Sequence, residues 1–295
     1  MLLTKLPNPF KMVKVSICCI TFNHAPYIRQ CLDGFLMQKC NFEFEILIHD
    51  DASTDGTVEI IQEYEKKYPE LIKPFFQIDN QYSKGVRGIN HLYNFPRAIG
   101  KYIAMCEGDD YWTDAFKLQK QFDFMELNTD CSLCFHAALA ESVGVPTGSY
   151  SRRPNNIPED SKFELKDIIL GGGGFITTNS MFFLKKYTDE NPDWKSKSPV
   201  GDAPLTLILA YRGKVGYIDD VMSVYRVMSS NSSWSFSMRD FGNYKKHHYA
   251  IIEMWKGFDE WSDYKYHSIV CKKIKMNESQ YRKVKLKNLF KRFIG

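Results

Sequence analysis

Three polar clusters interrupt apolar runs in the first half of this sequence: Thr21-Phe22-Asn23, Asp50-Asp51 and Asp109-Asp110. Two adjacent carboxylates repel each other unless a positive group sits between or beside them. A hard divalent cation is such a group, and Mg2+ typically uses one or two carboxylates together with substrate phosphates. Asp109-Asp110 suits that chemistry, with Gly108 before it permitting close approach; the alternative is a solvated acidic turn capping the helix that follows. Asp50 and Asp51 leave a similar choice. One suits the N-cap of the next helix, and the other suits accepting hydrogen bonds from a base edge or a ribose hydroxyl.

The elements around these clusters decide whether they can meet. Val13–Ile20 is a nearly continuous apolar run, as in a strand buried on both faces of a parallel sheet. A helix is predicted from Pro26, a second strand over Phe44–Ile48, and a helix carrying Val58, Ile61, Tyr64 and Tyr68 on one face. A third strand over Ile72–Ile78, a short helix near Asn90–Ile99 bent at Pro96, and a fourth strand over Tyr102–Cys106 follow. This alternation predicts an α/β fold with a mostly parallel, doubly wound sheet. Ligands of such sheets bind outside the carboxyl ends of the strands, and each polar cluster falls at such an end. The second half reads as a helix over Asp114–Leu127, a strand over Ser132–Leu139, a loop over 149–160 and a four-glycine turn at 171–174. A strand over Met181–Leu184, a helix over Leu205–Tyr211 and a strand pair, Val215–Ile218 and Val221–Val227, come next, and the chain after Ser237 looks helical and aromatic.

Three stretches, taken in order, resemble the family 2 glycosyltransferases of the GT-A fold. They are Val15-Ser16-Ile17-Cys18-Cys19-Ile20-Thr21-Phe22-Asn23, Ile48-His49-Asp50-Asp51-Ala52-Ser53-Thr54-Asp55-Gly56-Thr57, and Gly100-Lys101-Tyr102-Ile103-Ala104 with Glu107-Gly108-Asp109-Asp110-Tyr111-Trp112. The resemblance covers residues 13–235 and implies a GT-A domain, with a nucleotide-sugar-binding half at 13–112, an acceptor-binding half at 113–235 and a helical basic extension at 236–295. It implies a nucleoside-diphosphate-sugar donor, commonly a UDP-sugar, a Mg2+ or Mn2+ cofactor, inversion at the anomeric carbon, and a saccharide or lipid-linked acceptor in cell-surface polysaccharide synthesis. Position by position, Thr21 and Asn23 fall in the first nucleotide-binding loop, Asp51 matches the base-recognising aspartate, Asp109 the aspartate near the ribose, and Asp110 the metal ligand at the diphosphate. Gly201-Asp202-Ala203-Pro204-Leu205 resembles the motif supplying the general base, so Asp202 is the catalytic candidate. Many relatives place a His shortly after a Tyr-Arg pair; here Tyr225-Arg226 is followed by Val227 and Met228, which leaves the third metal ligand open and keeps a non-catalytic nucleotide-sugar-binding protein as the alternative. Arg226 suits a phosphate or a surface carboxylate, and Lys84 and Arg87 suit a basic donor contact. A nicotinamide-dependent oxidoreductase would need G-x-G-x-x-G after the first strand, where this chain has Thr21-Phe22-Asn23-His24.

Composition narrows the setting. At 44% hydrophobic and 25% charged, the 295 residues are those of a globular chain able to bury a sizeable core. Eight cysteines, several inside apolar runs, fit a reducing compartment; Cys131 and Cys134 form a lone C-x-x-C that reads as buried strand or as a redox or zinc pair. No apolar run is long enough for a signal peptide or a bilayer span, which predicts a cytoplasmic protein. Residues 265–295 hold ten Lys or Arg against one Glu, so the net charge of +4 belongs to the tail. Leu286, Leu289, Phe290 and Phe293 recur at helical spacing between those cations. A basic amphipathic helix reads as peripheral binding to an anionic membrane surface; the alternative is a solvated helix packed on the domain. Nucleic acid is not expected as a partner, since no recognition motif accompanies the basic stretch.

Overall fold

The computed structural model describes residues 12–142, 149–152, 154, 161–171, 176–227 and 234–294. Its strands are β1 (Val13–Thr21), β2 (Glu43–Asp50), β3 (Ile72–Phe76), β4 (Tyr102–Glu107), β5 (Tyr111–Trp112), β6 (Cys131–Ser142), β7 (Ser149–Arg152), β8 (Lys162–Phe163), β9 (Phe182–Leu184) and β10 (Lys214–Val227). The α-helices are α1 (Ile28–Leu36), α2 (Thr57–Lys67), α3 (Lys117–Leu127), α4 (Leu165–Gly171), α5 (Asp202–Arg212), α6 (Trp234–Ser237), α7 (Phe241–Trp261) and α8 (His267–Ile294).

The strands form one sheet in the order β3-β2-β1-β4-β9-β6-β10-β5, with β7 added on β6 and β8 on β10. The first four strands are parallel, as their strand–helix alternation predicts. Beyond β4 the sheet is mixed, because β9 runs antiparallel between β4 and β6 while β6 and β10 are parallel. The expected strand pair at 215–227 is a single strand, β10, whose register slips between Ile218 and Val221 around Asp219-Asp220. Pro96 stops the helix expected over 90–99: a turn of π-helix at Asn90–Asn94 gives way to a 3-10 turn at Phe95–Arg97.

Two apolar layers sandwich the sheet, and strand alternation assigns residues to them. Val15, Ile17 and Cys19 of β1 face α1, α2 and α3, packing on Ile28, Phe35, Ile61 and Leu118. Cys18 and the β4 residues Ile103 and Met105 face the other layer, which includes Leu205 and Ile208 of α5, Met254, Trp255 and Phe258 of α7, and Val270 of α8. The C-terminal helices thus share a core with the sheet. Cys131 and Cys134 lie in the first layer, and burial raises both thiols well above the ordinary value.

Candidate functional site

Strand register brings the polar clusters to one edge. Thr21 pairs with Asp50, and Ile20 pairs with both His49 and Glu107, so the carboxyl ends of β1, β2 and β4 lie side by side. The strand order turns at β1, which places that edge at a topological switch point.

The first two loops are sewn together. Asn23, at φ +54°, accepts from the Thr54 amide with its side chain (2.8 Å), and its own amide donates to the Ser53 hydroxyl (2.8 Å). Ser53 in turn donates its hydroxyl and its amide to the Asp50 carboxylate. Asp55 accepts from the amide and hydroxyl of Thr57 at the start of α2, and from the Ala25 amide; the N-cap itself is Gly56, so neither Asp50 nor Asp51 takes that role. Each oxygen of Asp51 takes one backbone N–H, from Gln81 at 2.8 Å and Tyr82 at 2.9 Å. The residue suggested for base recognition thus holds the loop at 81–82 through both of its oxygens. Near it, His49 packs in a cluster of three rings with Phe75 and Tyr93, whose centroids lie 5.7 and 4.4 Å from it and 5.8 Å from each other. Burial pushes His49 down to about 4, leaving it neutral at physiological pH.

The third cluster is built across the sheet. Gly108 sits where a Cβ would lie 2.7 Å from Thr21 Oγ1 and 3.0 Å from His24 Nδ1, so only glycine lets the loop after β4 close on the loop after β1. His24 Nε2 reaches to 3.8 Å from the Asp109 carboxylate. Antiparallel pairing of Tyr111 with Val224 puts Arg226 beside Asp110. The Arg226 amide donates to Asp110 Oδ1 at 2.7 Å, its guanidinium donates to the Asp109 carbonyl at 2.6 Å and to Gln30, and that guanidinium lies over the Tyr27 and Tyr111 rings. Arg226 Nε also lies 3.8 Å from the carboxylate of half-exposed Glu141, so the pair with a surface carboxylate is present beside these bonds. Lys84, proposed beside it as a basic contact, pairs with Asp79 at 2.9 Å, and Arg87 stacks on Tyr82 at 4.0 Å.

The electrostatics of this edge are those of several carboxylates brought close together and buried. Asp110 is fully buried, and its Oδ2 has no hydrogen-bond partner among the described residues. Burial, then Asp109 and other acidic neighbours, push it well above the usual carboxylate range. Burial, then Asp109 and Asp202, push Glu107 up to about 8. Asp202 is the first residue of α5; its carboxylate accepts from the Ala203 amide at 2.8 Å, and burial raises it. Together with Glu107 it lines a cavity of about 580 Å3 roofed by α7 and α8. Glu107 stands in the sequence motif without a role, and its register beside Ile20 is the signal that could have given it one. The roof is long-range packing that periodicity does not reveal.

An orphaned, buried carboxylate oxygen beside a second carboxylate fits a divalent cation. No group of three His, Cys, Asp or Glu able to hold one was found among the described residues. Met228 lies outside the described residues, as do Gly172–Gly174 of the glycine turn.

The family model described as glycosyl transferase family 2 matches residues 16–191, more than half of the chain. The chain belongs to glycosyl transferase family 2. An uncharacterized protein of Mycobacterium tuberculosis is 34% identical over 216 residues, 72% of this chain and 58% of the relative. The Bacillus subtilis protein TuaG, named for teichuronic acid biosynthesis as a glycosyltransferase, is 32% identical over 158 residues, 53% of this chain and 59% of TuaG. This family 2 chain therefore spans less than two thirds of the length of these curated relatives. Among solved structures, S. aureus TarS 1-349 in complex with UDP superposes with a TM-score of 0.60 at 17% identity, covering 83% of this chain and 65% of TarS. That likeness supports the fold, a GT-A-like sheet flanked by helices.

Proposed function

We propose that this protein transfers a sugar from a nucleoside-diphosphate sugar to a saccharide or lipid-linked acceptor, with inversion, in the synthesis of a cell-surface polysaccharide. The observation that carries the proposal is the convergence, at one sheet edge, of the β1 and β2 loops, the orphaned Asp110 carboxylate and the Asp202 carboxylate at the cavity. Family membership supports the reaction class; TuaG's name and the UDP in the TarS complex support the product and donor classes, with UDP-sugar as the donor.

The β1 and β2 loops, with Asn23, Thr21 and Asp51, border the nucleoside, and Asp109 lies on the ribose side. Asp110, with Asp109 beside it, would hold a Mg2+ or Mn2+, which would supply positive charge against the departing diphosphate. Arg226 fixes Asp110 through its amide and the Asp109 backbone through its guanidinium. Asp202 takes the proton of the acceptor hydroxyl as that oxygen bonds to the anomeric carbon, while the bond from that carbon to the diphosphate oxygen breaks on the opposite face. A buried carboxylate with a raised pKa is a stronger base than an exposed one, and such a base typically contributes about 10²–10⁴-fold.

We extend the proposal to a peripheral station on the inner face of the membrane. Among the described residues no helix is long and apolar enough to cross a bilayer. On α8, Leu286 and Leu289 are exposed among Lys283, Lys285 and Lys287, and basic residues near an anionic surface contribute about 1 kcal/mol each. The test of the central reading is transfer from a panel of labelled nucleoside-diphosphate sugars to acceptor lipid and saccharide extracts. Transfer that vanishes in Asp202→Asn supports it. Nucleotide-sugar binding without any turnover would favour the non-catalytic alternative.

A further inference from the structure

The cavity of about 580 Å3 has two unlike ends. Its volume is that of a small-molecule site. At the sheet end stand Glu107 and Asp202, while Asp109 and Asp110 lie outside its lining, so it is distinct from the place proposed for the diphosphate. The other wall is rich in donors. Lys195, from the turn before α5, and Lys273, from α8, both line it, and Lys273 is only 7% exposed. Taking an ammonium out of water is costly unless it is paired. Among the described residues neither lysine has a carboxylate within ion-pair distance: Lys273 donates to the Leu170 carbonyl at 3.2 Å, and Lys195 Nζ has no hydrogen-bond acceptor. Burial lowers Lys195 to about 8 and lowers Lys273, with no acidic neighbour drawing either back.

Two more groups that line the cavity lack partners. The Trp255 indole N–H and the Thr177 hydroxyl are buried, line the cavity and find no hydrogen-bond partner among the described residues. Buried polar groups are normally satisfied. Orphaned donors beside unpaired cations match a ligand carrying negative charge and several acceptor oxygens.

We propose that this cavity is the acceptor subsite and that its acceptor is an anionic saccharide, whose carboxylate or phosphate ester is held by Lys195 and Lys273 while one of its hydroxyls lies at Asp202. The ligand's being a saccharide rests on the sugar-transfer reading above. Its being anionic rests on the cavity wall alone.

The test uses the full chain and three probes: methyl β-D-glucoside, methyl β-D-glucuronide and glucose 6-phosphate. Their binding is followed by ligand-observed NMR in the presence and absence of a nucleoside diphosphate with Mn2+. One or both anionic probes should bind at least about tenfold tighter than the neutral glucoside, as a charge-assisted hydrogen bond allows. Preference for the glucuronide alone identifies a uronic-acid type of acceptor, and preference for the phosphate alone a phosphorylated one. Lys195→Gln should reduce the preference severalfold and Lys195→Arg restore it; Lys273→Gln, where it folds, should act as Lys195→Gln does. Equal binding of all three probes, or a preference that survives Lys195→Gln, overturns the proposal. So does loss of the nucleoside-diphosphate response in the lysine variants, since the anion would then be the donor's own diphosphate. Absence of any nucleotide response with the anionic preference intact would instead sink the donor reading and leave the anion subsite standing.

Discussion

Arg226 and Asp110 meet across 116 residues of sequence, and their contact is what gives the acidic cluster its shape. The guanidinium fills a slot between the Tyr27 and Tyr111 rings, with donors to the Asp109 carbonyl and to Gln30. Lysine supplies a single point of charge rather than a planar fork. Arg226→Lys is therefore expected to fold, as judged by circular dichroism, yet to bind nucleoside diphosphate with Mn2+ about tenfold more weakly, the loss of one charge-assisted hydrogen bond. Asp202 makes the opposite case. It lines the cavity beside Glu107 rather than the loops after β1 and β2, so Asp202→Asn should leave nucleotide affinity unchanged while transfer falls by about 10²–10⁴-fold. The residue types at 21–23, 50–51 and 109–110 were legible in the sequence because each follows an apolar run. The role of Arg226 was not, because it depends on the pairing of Val224 with Tyr111. Asp51's bonds to the loop at 81–82 were hidden for the same reason.

At the scale of elements, the parallel half could be read from alternating runs and loops. The antiparallel insertion of β9 could not, since a three-residue strand carries almost no periodic signal. Helix α3 was expected from residue 114 and begins at Lys117, and its first residue is an unexpected core group. Lys117 is fully buried, lies 3.9 Å from the Trp112 ring and donates to Gln121. Lysines are almost never so enclosed, and a composition-based reading assigns them to the surface. Burial pushes Lys117 down to about 7. Between that value and the ordinary one of about 10.4 the unfolded chain binds the extra proton, so this group makes stability rise with pH across that window and contributes no slope below or above it. Denaturant unfolding of wild type and Lys117→Met at pH 6, 7.5 and 9 should show that rise in the wild type and a flatter profile in the variant. Matching slopes would mean that Lys117 stays charged in the fold.

At the scale of the molecule, α7 and α8 close the cavity rather than trail from the sheet. The approach is tight where α7 crosses the segment before α5: a Cβ on Gly257 would lie 2.4 Å from Trp194 Cβ. Gly257→Ala should cost about 1–3 kcal/mol, as overpacking does. It should lower the melting temperature by several degrees and weaken binding at the cavity while sparing the nucleotide edge, a separation visible by running both titrations on one sample. The sequence showed these helices only as an aromatic, basic stretch, because the faces they bury are defined by Trp194, Leu205 and Ile208 far upstream.

Asp110 and a divalent cation organise the proposed donor site. Its most direct test is the thermal shift of wild type and Asp110→Ala with UDP, GDP, ADP and CDP, each with and without Mn2+. A shift with one nucleotide, UDP by this account, that needs Mn2+ and is lost in the variant is the predicted result. No shift with any nucleotide, or one that is independent of both Mn2+ and Asp110, would contradict it.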